Sequence, residues 1–523
     1  MNKLIILLLV ATSFGATSVW GQGFMKLYDI ENTTINSSGD ILLVDNGVLI
    51  LSASECFSGY ECTGLIKTDT VGTKLWDNVF ENPQGILLPA RGIKRLGDES
   101  CLISGGLGYI GFPWQLFFLQ VNSNTGDSLT IREYGNIDER EGTVYMSIKN
   151  EFIYAVLYNG DVQNTYTHIK LIKMDTCFSN LMEFPLSGVN SYNFIYALTI
   201  TLAQDSTSLY LGLKYRSGLP PPYYSAIRKI DLQGNTIWEY PLNTYTTYTH
   251  TPTQIVVLPN GNIVTHWFDE GAGGVNDQRN PYLICLSPTG EFVWRYDFND
   301  SYYKKFPVQI SLAANGDIIG CGYTSNPNYN YDCGWLFRLS PQGTLLWERE
   351  YVSSNSSINF LVCVGLDEDT QGNIFITGPI IDLSDNGLAY ESNAFLQKVL
   401  PNGCFTPDCN GGAEDTLIIA STVVGIESPP LPSTQQQGKL IVLPNPAQNE
   451  VRVLIPLDLL RRPNASLQVS DLQGKTLKSI AIDRFVTNSL VNIATNDLPD
   501  GMYLVSFVEA GLALQTVKLV VAH

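Results

Sequence analysis

Short apolar stretches alternate with Gly-, Asn- and Asp-rich punctuation along most of the chain, and one arrangement of them recurs. Its form is an apolar strand, Lys or Arg, an apolar residue, Asp or Ser, two residues, Gly, then an apolar residue and Trp. It reads LIKTDTVGTKLWD from Leu65, IRKIDLQGNTIWEY from Ile227, LICLSPTGEFVWRY from Leu283 and LFRLSPQGTLLWERE from Leu336. Weaker copies start at Leu116, His168 and Ala394. The turn glycines Gly72, Gly126, Gly234, Gly290, Gly343 and Gly403 mark six units, and Phe178 stands near that place in a seventh. Trp76 and Trp238 lie 162 residues apart, three periods of 54; Trp294 and Trp347 follow at steps of 56 and 53. A second signal precedes each copy, a turn opening a short apolar strand: DNGVLILS from Asp45, PNGNIVTHWF from Pro259, ANGDIIGCGYT from Ala314 and TQGNIFITG from Thr370. Asn-Gly between apolar runs signals a hairpin, because a type I′ turn needs φ > 0 at both central residues. Each period therefore predicts four short strands and three turns, one antiparallel sheet.

A single sheet of this kind has open edges and an uncovered face. Stacking repeated sheets radially removes both defects, so the pattern predicts an all-β chain whose body is a seven-bladed β-propeller. The ends also match. FMKLYDIEN from Phe24 resembles the outer strand of other units, such as IWEYPL from Ile237, while the seventh copy stops near Cys409 without one. Residues 24–30 are expected to complete the last blade.

After Gly412 the repeat ends. Residues 413–438 include SPPLPSTQQQG, the composition of a linker. From Lys439 about seven short strands follow within 85 residues, which predicts a small immunoglobulin-like β-sandwich. At the other end, Lys3, the apolar run Leu4–Val10 and the small-residue stretch ending at Gly21 form a signal-peptide pattern. The expected organisation is signal peptide 1–21, propeller 22–412, linker 413–438 and sandwich 439–523. The apolar run at the N-terminus is too short to span a bilayer, and no transmembrane segment follows it.

Composition then narrows the chemistry. The 523 residues are 44% hydrophobic but only 15% charged, which suits an ordered, strand-rich protein. With 31 Lys and Arg against 50 Asp and Glu, the net charge of −19 repels phosphate backbones, and nucleic acid is excluded as a partner. Ten cysteines in an exported chain suggest disulfides. The close pairs Cys56 with Cys62, Cys321 with Cys333, and Cys404 with Cys409 are the expected bridges. Cys101, Cys177, Cys285 and Cys363 sit singly in apolar runs and are expected to be buried thiols.

No catalytic, cofactor-binding or metal-ligating residue is assigned. G-x-S-x-G and H-E-x-x-H are missing, and the four histidines, including His266 in IVTHWF, are isolated. Asp367, Asp369, Gln371 and Asn373 approach calcium-loop spacing, yet the bidentate Glu is replaced by Gly378, so a plain hairpin turn is expected. Tyr-rich segments at 220–224, 245–248 and 302–303 offer rigid contact area suited to a glycan or protein ligand. The alternative is an extracellular enzyme, polysaccharide-degrading or quinone-dependent, on the same scaffold.

Two resemblances add to this reading. D-x-x-G-x-x-x-W resembles the docking motif of quinoprotein propellers, although the adjacent Cys-Cys pair of those enzymes is missing; packing between sheets accounts for the Trp. The C-terminal segment resembles the type A C-terminal sorting domain of the type IX secretion system of Bacteroidota. Four blocks occur in family order: Pro444-Asn445-Pro446-Ala447, then Asp471 to Lys475 around Gly474, then Leu498 to Tyr503 with Gly501, and finally Lys518 to Val521. The resemblance implies passage through the periplasm, recognition by the type IX translocon and removal of the domain by a sortase. The cargo is then secreted or held at the cell surface.

Overall fold

The structure is a computed structural model. It describes residues 23–28, 36–55, 61–80, 86–87, 90, 92–108, 115–135, 139–141, 145–149, 151–161, 167–186, 194–216, 223–246, 254–270, 279–298, 304–325, 332–353, 358–382, 391–406, 414–419, 440–443, 447, 449–455, 465–471, 475–482, 490–509 and 512–522. The expected signal peptide, Cys56, Cys409, Pro444, Asn445, Pro446 and Gly474 lie outside the described residues. The chain separates into two compact units, Met1–Ile426 and Glu427–His523.

The first unit is built from antiparallel sheets in chain order. After β1 (Phe24–Tyr28), the first sheet is β2 (Asn36–Val44), β3 (Gly47–Glu55), β4 (Glu61–Thr68) and β5 (Lys74–Phe80). The second is β7 (Gly92–Gly97), β8 (Ser100–Gly108), β9 (Gln115–Asn122) and β10 (Ser128–Tyr134), with the short β6 (Ile86–Leu87) beside β8. The third is β12 (Tyr145–Lys149), β13 (Phe152–Asp161), β14 (Thr167–Asp175) and β15 (Met182–Pro185), with β11 (Glu139–Glu141) beside β13. Next come β16 (Phe194–Leu202), β17 (Ser208–Arg216), β18 (Tyr223–Asp231) and β19 (Thr236–Thr246), then β20 (Ile255–Val257), β21 (Ile263–Glu270), β22 (Arg279–Leu286) and β23 (Phe292–Asp297). The following sheet is β24 (Lys304–Leu312), β25 (Ile318–Ser325), β26 (Asp332–Leu339) and β27 (Leu345–Ser353). The last holds β28 (Ile358–Leu361), β29 (Gly365–Glu368), β30 (Ile374–Asp382) and β31 (Glu391–Val399), joined to the sheet before it by one parallel pair, Asp332–Phe360, between β26 and β28.

The outer strand of that last sheet is β1. Phe24 pairs with Lys398 and Tyr28 with Ala394, so the N-terminus supplies the strand that the final repeat lacks, as the matching ends predict. The first strands of the sheets lie side by side in succession, β2 against β7, β7 against β12 and so on to β29, which returns to β2. A separate apolar core fills each gap between neighbouring sheets. The gap between last and first is filled too, by Phe375 and Leu396 against Ile41 and Ile50. This closed radial stack is a β-propeller.

The recurrent Trp closes those gaps. Trp238 on β19 lies against Gly290 in a turn of the next sheet and donates from Nε1 to Pro288 O at 3.0 Å. Gly290 has φ +86°, and a Cβ there would sit 2.8 Å from the Trp238 ring. Trp76 meets Gly126, Trp294 meets Gly343 and Trp347 meets Gly403 in the same way. The N-terminal strand copies the device with Phe24 against Gly72, backed by Tyr28 Oη donating to Gly72 O at 2.7 Å. Phe178 takes the glycine's place in the third sheet with φ +58° and the same turn hydrogen bond, from its N–H to Asp175 O. Packing, not cofactor docking, explains the motif.

Cys321 and Cys333 do not form the expected bridge; both are buried thiols. Cys321 pairs across the ladder with Leu336, and Cys333 with Thr324. The two cysteines are three register positions apart, and an odd offset puts their side chains on opposite faces of the sheet. Cys62 and Cys404 are disulfide-bonded. Cys101, Cys285 and Cys363 are buried as expected, whereas Cys177 is exposed in a turn.

A further strand, β32 (Glu414–Ile419), falls within the stretch expected to be linker. It pairs in parallel with β27, Glu414 beside Glu348 and Ile419 beside Ser353.

The second unit has two sheets. One holds β33 (Ile441–Leu443), β34 (Glu450–Leu454) and β37 (Leu490–Ala494); the other orders β36 (Thr476–Ile482), β35 (Ala465–Ser470), β38 (Gly501–Glu509) and β39 (Leu512–Val521). Val451, Val453, Leu467, Phe507 and Leu519 meet in one core. Tyr503 joins that core and donates from Oη to Pro499 O at 2.7 Å, which fixes the turn before β38. Gly501 opens β38, and Lys518 lies exposed on β39 opposite Leu504.

Two outcomes test this packing. Gly290→Ala should cost about 1–2 kcal/mol from the backbone alone, with the Trp238 clash in addition, and thermal unfolding will show the lower melting temperature. Burial pushes the Cys333 and Cys363 thiols up to about 12, so alkylation at pH 8 should spare Cys321, Cys333 and Cys363 until denaturant is added. A non-reduced peptide map joining Cys321 to Cys333 would contradict the register.

Candidate functional site

The first strands of the sheets surround a central cavity of about 350 Å³. Its wall takes Asp40 from β2, Lys94 and Arg95 from β7, Tyr145 and Ser147 from β12, Thr199 and Thr201 from β16, Gln254 before β20 and Ser311 from β24. These strands have a partner on one side only, so their other edges would leave N–H and C=O groups unpaired.

Side chains from the neighbouring strand fill that need. Asp40 accepts its own Ile41 N–H through Oδ1 and Ile93 N–H of the second sheet through Oδ2, at 2.9 and 3.1 Å. Asp367 on β29 accepts Leu43 N–H at 2.9 Å, joining the last sheet to the first. Gln309 Oε1 accepts Leu366 N–H at 2.9 Å, and Thr201 Oγ1 donates to Ile255 O at 2.8 Å. Three of the strands shift register just before these positions, between Ser38 and Asp40, Ala197 and Thr199, and Pro307 and Gln309. Such a bulge re-aims the following side chain, here toward the axis.

Burial raises the Asp367 carboxyl above its ordinary value. The Leu43 and Glu368 N–H groups pull it back, Asp40's charge raises it again, and Lys94 opposes. Asp40 lines the cavity, while Asp367 is held between the last sheet and the first. Arg95 is drawn to Asp45 at 2.9 Å and to Leu43 O.

The repeated Lys or Arg on the third strand serves the turns. Lys67 Nζ donates to Asn46 Oδ1 and to Ser123 O in the next sheet, both at 2.8 Å. Arg338 meets Asp317 at 2.8 Å and Glu368 at 3.2 Å. These cations are structural.

Other residues singled out in the sequence have plain roles. Asp369 accepts the N–H groups of Gln371 and Asn373, both at 2.9 Å, which closes a hairpin turn. Asp367 points away from that turn to the first sheet, so the calcium-loop set is divided. Among the described residues, no group of three or more His, Cys, Asp or Glu could hold a metal ion. His266 is buried beside Phe268, their ring centres 6.5 Å apart. Residues 302–303 and 220–222 of the Tyr-rich segments lie outside the described residues, while Tyr224 stacks on Tyr215.

Asp40 and Gln309 escape motif reading because no short pattern surrounds them, and Asp367 stands in a calcium-loop spacing that has no bearing on its bridging role. Their one signal is position: Asp40 and Gln309 both stand six residues before the Asn of a hairpin turn, Asn46 and Asn315.

Residues 441–522 match the secretion system C-terminal sorting domain family. That domain marks the chain for type IX secretion, to the cell surface or the medium. Among the described residues no helix is long and apolar enough to cross a membrane. No curated protein matches the chain. Solved structures similar to it include a europium-containing methanol dehydrogenase, at 9% identity over 72% of this chain and 93% of that one, with a TM-score of 0.41. Quinohemoprotein alcohol dehydrogenase from Comamonas testosteroni is similar at 10% identity over 72% and 76%, TM-score 0.41. The β-propeller domain of the Trilobed protease from Pyrococcus furiosus shares 9% identity over 73% and 99%, TM-score 0.41.

The stitched channel gives a pH prediction. The folded chain holds the Asp367 proton more tightly than the unfolded chain does. This group's contribution to stability is therefore complete below about pH 4 and is lost as pH rises through its elevated value. Asp367→Asn keeps an acceptor for Leu43 N–H and removes the titration. Urea midpoints taken at steps above pH 4 should fall less in D367N than in the parent; identical profiles would show that Asp367 does not titrate there.

Proposed function

We propose that this chain is an exported binding protein: a seven-bladed propeller that holds an extracellular glycan or protein ligand on one face of its ring. The proposed organisation is signal peptide 1–21, propeller 22–412, linker 413–438 and an immunoglobulin-like sorting sandwich 439–523 recognised by the type IX translocon and removed by a sortase. Disulfides Cys56–Cys62 and Cys404–Cys409 secure the propeller, consistent with the oxidised state of Cys62 and Cys404.

The observation that supports a binding face is the difference between the two ends of the strands. First-to-second and third-to-fourth connections are tight turns such as 45–46, 258–262 and 287–291, clamped by Trp, Lys and Arg. Second-to-third and fourth-to-first connections leave from the opposite end and are longer, among them 271–278, 326–331 and 383–390. Tyr248, Tyr302, Tyr303, Tyr329 and Tyr331 fall in these longer connections. Loops on a rigid scaffold are where recognition concentrates, and Tyr gives large contact area at low entropic cost.

The second reading is an extracellular enzyme. It draws on Asp40 and Asp367, because paired carboxylates in unlike environments can divide acid and base roles. Both, however, already hold backbone N–H groups between sheets.

A glycan and protein array probed with the mature chain, run beside a broad polysaccharide hydrolase assay, separates the two. Replacing Tyr302 and Tyr303 by Ala should weaken array binding at least tenfold, about 1.4 kcal/mol, with an unchanged melting temperature. Turnover abolished by D367N at parental stability would instead support the enzyme.

Export has its own test. Removing residues 518–523 deletes the buried Leu519 and Val521 and should hold the chain in the periplasm with the propeller folded. Lys518→Glu spares that core and tests recognition directly. Normal delivery of both variants to the surface or medium would refute the assigned route.

A further inference from the structure

The first strands place one residue each at the same level of the channel, and one corner of that ring is open. At the equivalent register position of each first strand stand Asp40, Gly92, Tyr145, Thr199, Gln254, Gln309 and Gly365. Asp40 is thus flanked by two glycines, and they differ. A Cβ on Gly365 would meet Thr377 Cγ2 at 2.8 Å and Asp40 Cα at 3.1 Å, so that side is closed. A Cβ on Gly92 would have only Asp40 Oδ2 near it, at 3.7 Å. Where other sheets carry Tyr, Thr or Gln, the second sheet leaves a gap.

Polar groups surround that gap. Gly92 pairs across the ladder with Ser104, which is fully buried on the cavity wall with no hydrogen-bond partner for its Oγ. An unsatisfied buried hydroxyl costs about 1–3 kcal/mol, so a site that leaves one open has a use for it. Lys94, two residues along the same face of the strand, lines the cavity and makes no hydrogen bond among the described residues. Asp40 spends one lone pair per oxygen on the backbone and keeps the others.

We propose that this corner, Asp40, Gly92, Lys94 and Ser104, binds one ring of a neutral, polyhydroxylated ligand, a sugar. The carboxylate takes hydroxyl donors, the ammonium gives to a hydroxyl oxygen, and Ser104 does either. Their formal charges cancel, which favours an uncharged guest over an anion. Tyr145 adds an aromatic surface, and about 350 Å³ lies within the range of small-molecule sites. This deepens the binding reading above by naming a ligand class for the channel, and it can fail independently of the Tyr-bearing face.

The test refills the gap. Gly92→Gln installs the residue that Gln254 and Gln309 already place at this level, on backbone with no positive φ. Lys94→Met removes a charge without touching a core. Calorimetry with glucose, galactose and N-acetylglucosamine, each against the mature protein, should show at least one binding, and G92Q and K94M each weakening it tenfold or more. Both variants should melt within about 3 °C of the parent; if G92Q does not fold, K94M alone decides. No sugar bound by the parent, or equal binding by the variants, overturns the proposal. Binding of glycine alone, lost in both variants, would replace it with a zwitterion site. Loss of array binding in the Tyr302 and Tyr303 variant with glucose binding intact would separate the face from the channel.

Discussion

The fold depends on how each sheet holds the next with almost no ladder pairing between them, the exception being the single parallel pair Asp332–Phe360 between β26 and β28. At five of the junctions an aromatic side chain on an outer strand lies on a turn of the neighbour, and the turn residue there is a positive-φ glycine, so no Cβ intervenes. A ring N–H or hydroxyl then satisfies a carbonyl of the same turn. Apolar burial supplies most of the attraction between sheets, but it is non-directional. The contact between ring and turn sets the spacing and angle at which the cores can close.

At the axis the same problem is solved with other groups. First strands lie side by side without forming a ladder with one another. Asp40, Gln309 and Asp367 bridge them with single hydrogen bonds to backbone. A polar channel is therefore a structural requirement before it is a site. Any ligand must use capacity the stitching leaves over, and that surplus is found where glycine interrupts the series.

Much of this was legible in the chain. Turn glycines and the Trp after them give the third and fourth strands, Asn-Gly gives the first hairpin, and the missing last strand points to residues 24–28. The first strands were harder. They are short, their register slips at a bulge, and their partners lie about fifty residues away, so Asp40 and Gln309 stand in no local motif. The error at Cys321 and Cys333 has a related cause: their separation in sequence suits a loop clasp, but the parity of the ladder decides which face each thiol takes. Glu414 and Asp415 open a stretch whose polarity reads as linker, yet edge pairing needs backbone and not side chains, so β32 left little trace.

β32 also determines how tension enters the molecule. A chain drawn outward by its C-terminus transmits the pull along the backbone to Ile419 before anything else in the propeller. There it meets six parallel register pairs with β27, from Glu348–Glu414 to Ser353–Ile419. Load along a strand axis is shared across all of those pairs at once, whereas load at the end of a hairpin would part them one by one. The seam between β1 and β31 lies behind this anchor along the chain, so the closure of the ring is spared the first force of its own export.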